Sequence, residues 1–217
     1  MTTRRSFLAL LSAGPLAACQ TAAPPAPQLS QSDQDFARWY VGSMKDDPFD
    51  IPLVDRSLLD PDLNVQTVAY AGGQRPGTIV VDIDERRLYL VEGDGTARRY
   101  GIGVGRQGFS WKGVATVNRK AKWPGWTPTT TMLRLRPDMQ RGAEPGVGNP
   151  LGARALYLYQ GSRDTMFRIH GTNEPWSIGT QVSSGCIRLL NQDIVDLYER
   201  VPVGTTVLVR RSGHARA

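Results

Sequence analysis

Ile169-His170-Gly171-Thr172 and Ser183-Ser184-Gly185-Cys186-Ile187-Arg188 hold one of the two histidines and one of the two cysteines of this 217-residue chain. Cys186 follows His170 by sixteen positions. A thiol attacks as the thiolate, so a reactive cysteine needs a base or a positive field beside it. Imidazole fills that role near neutral pH. The partners of a thiol enzyme meet through the fold, so their separation in sequence is no objection. Ser183, Ser184 and Gly185 put little bulk before the cysteine, which lets backbone N–H groups approach a substrate oxygen, as an oxyanion hole for acyl transfer requires. Taken singly, Cys186 reads as a small buried hydrophobe and His170 as a structural histidine. The glycine context and the pairing of the two favour chemistry.

The order His-Gly-Thr, a spacer, then Ser-x-Gly-Cys-Ile-Arg resembles the L,D-transpeptidase catalytic domain, the YkuD family. The resemblance is carried by NPLGARALYL (149–158), HGTNEPWSIG (170–179), SSGCIRLLN (183–191) and VPVGTTVLV (201–209), and extends from about Gly77 to Val209. It implies a mainly β, sandwich-like domain over residues 76–210 with one helix after the cysteine. It also implies Cys186 as nucleophile, His170 as general base and the Gly171 carbonyl as the group that orients the imidazole. The implied substrates are peptidoglycan stem peptides, cross-linked through a cysteine thioacyl-enzyme or joined to a lipoprotein. Many members carry histidine where this chain has Ser184, so no role of that second histidine passes to this sequence.

The residues themselves read as a β-rich domain. Thr78–Ile83, Arg86–Val91 and Arg98–Val104 are strand runs separated by Asp84-Glu85 and Glu92-Gly93-Asp94-Gly95, a pattern of antiparallel strands on tight turns. Ala155–Tyr159 and Thr206–Val209 are further strands, and Met166–His170 delivers the histidine. A helix is expected over Gln192–Arg200, capped by Asn191, with Ile194, Leu197 and Tyr198 on one face and Pro202 ending it. Arg188 either binds a substrate carboxylate or braces the cysteine loop. Trp123 and Trp126, in the turn-rich stretch Lys122–Pro128, are expected along the substrate groove, the alternative being tryptophans that anchor a loop to the core. Together with Ser184 and Gly185 these are the candidate substrate contacts. Gly101, Gly103, Gly105 and Gly108 lack the lysine and the strand-to-helix context of a phosphate loop.

Ahead of the domain, Thr3-Arg4-Arg5-Ser6-Phe7-Leu8 and the short apolar run to Ala18 read as a twin-arginine signal, and Leu16-Ala17-Ala18-Cys19 resembles a lipobox. Residues 1–19 are therefore expected to be an address, with Cys19 lipidated, and the Ala/Pro-rich stretch from Gln20 a flexible tether. Phe36, Trp39, Tyr40 and Met44 suggest a helix over Asp33–Met44, and the extension to residue 75 has no assigned role. The expected place is the periplasm, on a membrane through the lipid, with the outer membrane favoured. If Cys19 carries lipid, Cys186 has no disulfide partner. The chain is 40% hydrophobic with net charge +6, which falls to +4 without Arg4 and Arg5. Part of that excess sits in the basic tail, residues 211–217. No basic-aromatic array points to nucleic acid, and two histidines do not build a His-rich zinc site, so no cofactor or metal is expected. A hydrolase on the same stems, and a wall-binding lipoprotein with a dead site, are the alternative readings.

Overall fold

A computed structural model describes residues 36–105, 112–135, 137–138, 141–182 and 186–212. The signal, Cys19 and tether, together with Gly108, Ser183, Ser184, Gly185 and the tail from Gly213, lie outside the described residues.

The mainly β expectation holds. The β-branched run after Thr78 forms β4 (Ile79–Asp82), followed by β5 (Arg87–Val91) and β6 (Thr96–Gly101) in an antiparallel meander. Asp94 and Gly95 take positive φ in the turn between β5 and β6, a conformation Asp and Gly tolerate best. The chain continues through β7 (Gly103–Gly105), β8 (Gly113–Lys122), a helical turn α1 (Thr130–Leu135), β9 (Arg154–Gln160), β10 (Arg163–His170), β11 (Gln181–Val182), β12 (Ile187–Arg188), α2 (Asn191–Arg200) and β13 (Thr206–Arg210). With β3 (Gln66–Ala69), these strands form one sheet ordered β11-β7-β12-β10-β9-β8-β13-β4-β5-β6-β3. The sheet is mixed rather than purely antiparallel, because β13 joins β4, β12 joins β10 and β11 joins β7 in parallel. Parallel partners need long connections, which short-range turn signals do not reveal.

Strands far apart in that order share one core. Ile79 and Val81 of β4, Leu88 of β5, Leu156 and Leu158 of β9, Ile169 of β10, Ile187 of β12 and Val207 of β13 pack with Ile194 and Leu197 of α2. The sheet therefore wraps around its own apolar face, and the alternate residues of β9 and β10 point to the other side.

The expected helix over Asp33–Met44 is not what forms. Only Phe36 and Ala37 among its described residues are helical, and β1 (Tyr40–Met44) pairs antiparallel with β2 (Ile51–Val54). The apolar spacing serves two contacts instead of one helix face. Phe36 and Trp39 stack near Trp176, with centroids 6.1 and 6.2 Å away, whereas Met44 packs on the Ile51–Trp123–Ala153 cluster.

This hairpin is welded to the domain. Asp46 accepts two hydrogen bonds from the Arg154 guanidinium, both 2.7 Å, and a third from Trp123 Nε1 at 2.7 Å. The Gln192 side chain exchanges two bonds with the Val54 backbone, at 3.2 and 3.1 Å, and Arg56 pairs with buried Asp193 of α2. In the 3-10 turn Pro61–Leu63, Leu63 lies against Gly101 and Gly179, where an added Cβ would collide with it. Asp46→Ala would leave the Arg154 charge, 2% exposed, without its carboxylate. The expected cost is about 3 kcal/mol, the low end of the range for breaking a buried pair because Asp46 keeps some solvent contact. Chemical denaturation checks it, and a loss below about 1 kcal/mol would mean that the hairpin is only loosely attached.

Candidate active site

The parallel pairing of β10 with β12 sets the geometry. Ile169 faces Ile187 and His170 faces Arg188. Both isoleucines enter the core, so His170 and Arg188 point to the opposite side. Continued by one residue, this register puts Arg168 beside Cys186 on that same side. Cys186 and His170 are thus diagonal neighbours on strands about 4.8 Å apart. The strand ends are pinned by Gly105 N–H donating to the Cys186 carbonyl at 3.2 Å and Leu189 N–H donating to the His170 carbonyl at 2.9 Å.

His170 is buried, and its Nδ1 lies 2.5 Å from the Gly171 carbonyl oxygen. That oxygen can only accept, so Nδ1 carries the proton and Nε2 the lone pair. Burial, then the positive charge of Arg188, pushes the imidazole pKa down to about 3, and the bond to Gly171 opposes the shift. Burial pushes the half-buried Cys186 thiol up, while the Arg168 backbone N–H and the Arg168 and Arg188 charges pull it down. The resting pair is therefore a neutral thiol and a neutral imidazole.

Each candidate has a definite place. Arg188 pairs with Glu174 at 2.5 Å, which ties the strand carrying the cysteine to the loop after the histidine. That is the bracing geometry. Trp123 is 4% exposed and gives its N–H to Asp46, so it anchors the core and does not line a groove. Half-buried Trp126 bridges Ala143, 2.9 Å in each direction, on the excursion between β8 and β9. That excursion reaches the site through Asn173, whose side chain donates to the Gly148 carbonyl at 2.9 Å.

Two residues near the site were not read as part of it. Arg168 is held by Asp164 at 2.7 and 2.9 Å, and its guanidinium stacks 4.4 Å from the Tyr157 ring, opposite Arg119 at 4.1 Å. Its position two residues before His170 is the signal that it shares the histidine's face. Asn191 was expected to cap α2, yet Leu190 holds the cap position and Asn191 is already inside the helix. Its buried side chain reaches the loop after His170 instead. Oδ1 accepts from Ala153 N–H at 3.0 Å and Thr172 N–H at 3.2 Å, and Nδ2 donates to the Thr172 carbonyl at 2.9 Å.

Residues 76–209 match the family model of the YkuD L,D-transpeptidase catalytic domain, a span that includes both His170 and Cys186. The chain belongs to that family. The probable L,D-transpeptidase ErfK/SrfK of Escherichia coli K12 is 41% identical over 140 residues, which cover 60% of this chain and 43% of that protein. The putative L,D-transpeptidase YkuD of Bacillus licheniformis is 32% identical over 148 residues, covering 66% and 74%. A crystal structure from Brucella melitensis, named a probable carnitine operon oxidoreductase, is 49% identical with a TM-score of 0.49, over 70% of this chain and 96% of that one. That name describes the other protein. The chain spans less than half the length of the E. coli relative, and the welded hairpin at 40–54 lies outside the family match to the L,D-transpeptidase domain.

Proposed function

We propose that this chain is an L,D-transpeptidase that cross-links peptidoglycan stem peptides through a Cys186 thioacyl-enzyme. The observation that supports it most is the joint placement of the Cys186 thiol and an imidazole of fixed tautomer on one face of adjacent parallel strands. His170 Nε2 takes the thiol proton as Sγ attacks the carbonyl of the third stem residue. Backbone N–H groups near Gly185 and Cys186 bind the oxyanion. Collapse breaks the bond to the terminal D-alanine, whose amine leaves with the proton from His170. The amine of a second stem then attacks the thioester, passes its proton to Nε2 and releases Cys186. Because both groups rest neutral, the ion pair forms only along the reaction, within the positive field of Arg168 and Arg188.

Incubation with purified disaccharide-tetrapeptides and mass spectrometry of the products is the test. D-alanine release with cross-linked dimers is expected. Shortened stems without dimers would reassign the chain as a hydrolase, and no acylation would favour a wall-binding protein.

The same reading gives Cys19 a lipid and the enzyme a periplasmic membrane anchor, supported by the lipobox-like run and the tether. About a dozen flexible residues span roughly 20 Å, so the wall within reach lies close to that membrane. Cys19→Ala is expected to move the protein from the membrane to the soluble fraction and to abolish labelling by a lipid precursor. Unchanged partition, with no label on the wild type, would remove the anchor from this account.

A further inference from the structure

We propose that Asn191 is a positioning residue for the base: it fixes the tautomer of His170 by holding the peptide unit that His170 uses. The inference rests on the reading of His170 as base, and deepens it.

The Gly171 carbonyl and the Thr172 N–H belong to one planar peptide. At one end its oxygen accepts from His170 Nδ1, and at the other its N–H donates to Asn191 Oδ1. Rotating the plane to move the oxygen breaks the bond at the nitrogen. Nδ2 then holds the next peptide by its carbonyl, and the second bond to Oδ1, from Ala153 N–H, ties the loop to the start of β9. Asn191 therefore grips two consecutive peptide planes and a neighbouring strand with one amide. Aligned hydrogen bonds also polarise one another, so the N–H bond makes the Gly171 oxygen a better acceptor and strengthens the preference for a proton on Nδ1.

The surrounding residues fit this arrangement. A Cβ on Gly171 or on Gly152 would collide with Asn191 Oδ1, so both glycines leave room for the amide. Gly152 has φ +61, a conformation that disfavours other residues in any case. Asn191 is buried and does not cap its helix, so its amide is committed to the loop. The other tautomer would aim an N–H at the thiol and leave the Gly171 oxygen facing a ring lone pair. That imidazole could not accept the thiol proton.

The experiment reads the tautomer directly, by nitrogen NMR of histidine-labelled protein. His214 is the only other histidine, and His214→Gln assigns the spectrum. In wild type, Nε2 of His170 is expected to be the unprotonated nitrogen. Asn191→Ala is expected to give a mixture of tautomers and to lower the kcat of acylation about 10- to 100-fold, the scale of losing an outer partner that supports a functional histidine, with KM little changed. Asn191→Asp keeps both acceptor bonds and, with its carboxyl protonated against the Thr172 carbonyl, the donor bond as well, so it is expected to retain the wild-type tautomer even if Asn191→Ala fails to fold. A folded Asn191→Ala with an unmixed tautomer and kcat within twofold of wild type would overturn the proposal, as would an Asn191→Asp that scrambles the tautomer. If the wild type proves inactive on stems, the function falls but the spectrum still decides the role of Asn191.

Discussion

Replacing Cys186 with alanine is expected to remove the acyl-enzyme altogether and to cut turnover of tetrapeptide stems by roughly 10^6-fold, the scale of deleting a nucleophile from a catalytic pair. Nothing else described on that face of β10 and β12 can take over. Arg168 and Arg188 carry no nucleophile, and His170 would need its own route to a covalent intermediate. His170→Ala is expected to cost less, about 10^2- to 10^4-fold, because the thiol remains and loses only its proton acceptor. Intact-protein mass after exposure to a carbapenem gives the second readout, with an adduct on wild type and none on Cys186→Ala. Tetrapeptide turnover by Cys186→Ala within tenfold of wild type would end the thioacyl mechanism.

The second large effect is on stability. His170 titrates near pH 3 in the folded protein and near 6.5 when unfolded, so between those values the unfolded chain binds more protons. Stability from this group is complete above pH 6.5 and is lost as pH falls towards 3. The full window is worth about 5 kcal/mol, of which about 2 kcal/mol is lost between pH 6.5 and 4.5. Asp46, held low chiefly by Arg154, and Asp164, where burial pushes up but Arg168, the Met166 N–H and the Arg119 charge outweigh it, add loss of the same sign at the acid end. His170→Gln isolates the histidine. Denaturation at pH 6.5 and 4.5 should show wild type losing about 2 kcal/mol more than the variant, and equal losses would mean that His170 is not buried neutral.

The parts of the fold legible in the sequence are those that local chemistry dictates. Ile79–Val81 and Leu88–Val91 announce strands because β-branched and apolar residues alternate between turn residues, and Ile194 and Leu197 announce the face of α2. The histidine and cysteine were legible as a motif. What failed depended on distant partners. Phe36, Trp39, Tyr40 and Met44 have helical spacing, but Trp176 and Ile51 claim them from different sides. Asn191 looks like a cap in its own neighbourhood, and only the approach of Ala153 and Thr172 gives it another task. Trp123 carries no local mark separating a groove residue from one that donates to Asp46. The parallel union of β10 and β12, which brings His170 and Cys186 together, has no signature in either short segment.

Leu63 carries one last implication. It stands outside the stretch shared with the family, yet Gly101 and Gly179, which stand inside it, have the shape they need to receive it. The two glycines are the mould of a residue from another part of the chain, Gly101 fitting mainly its backbone and Gly179 its side chain. The leader segment and the domain are therefore not interchangeable pieces. A chimera that joins residues 76–209 to another N-terminal segment keeps both hollows filled only if that segment brings a residue to the place of Leu63, and where it does not, both glycine positions are free to take larger residues.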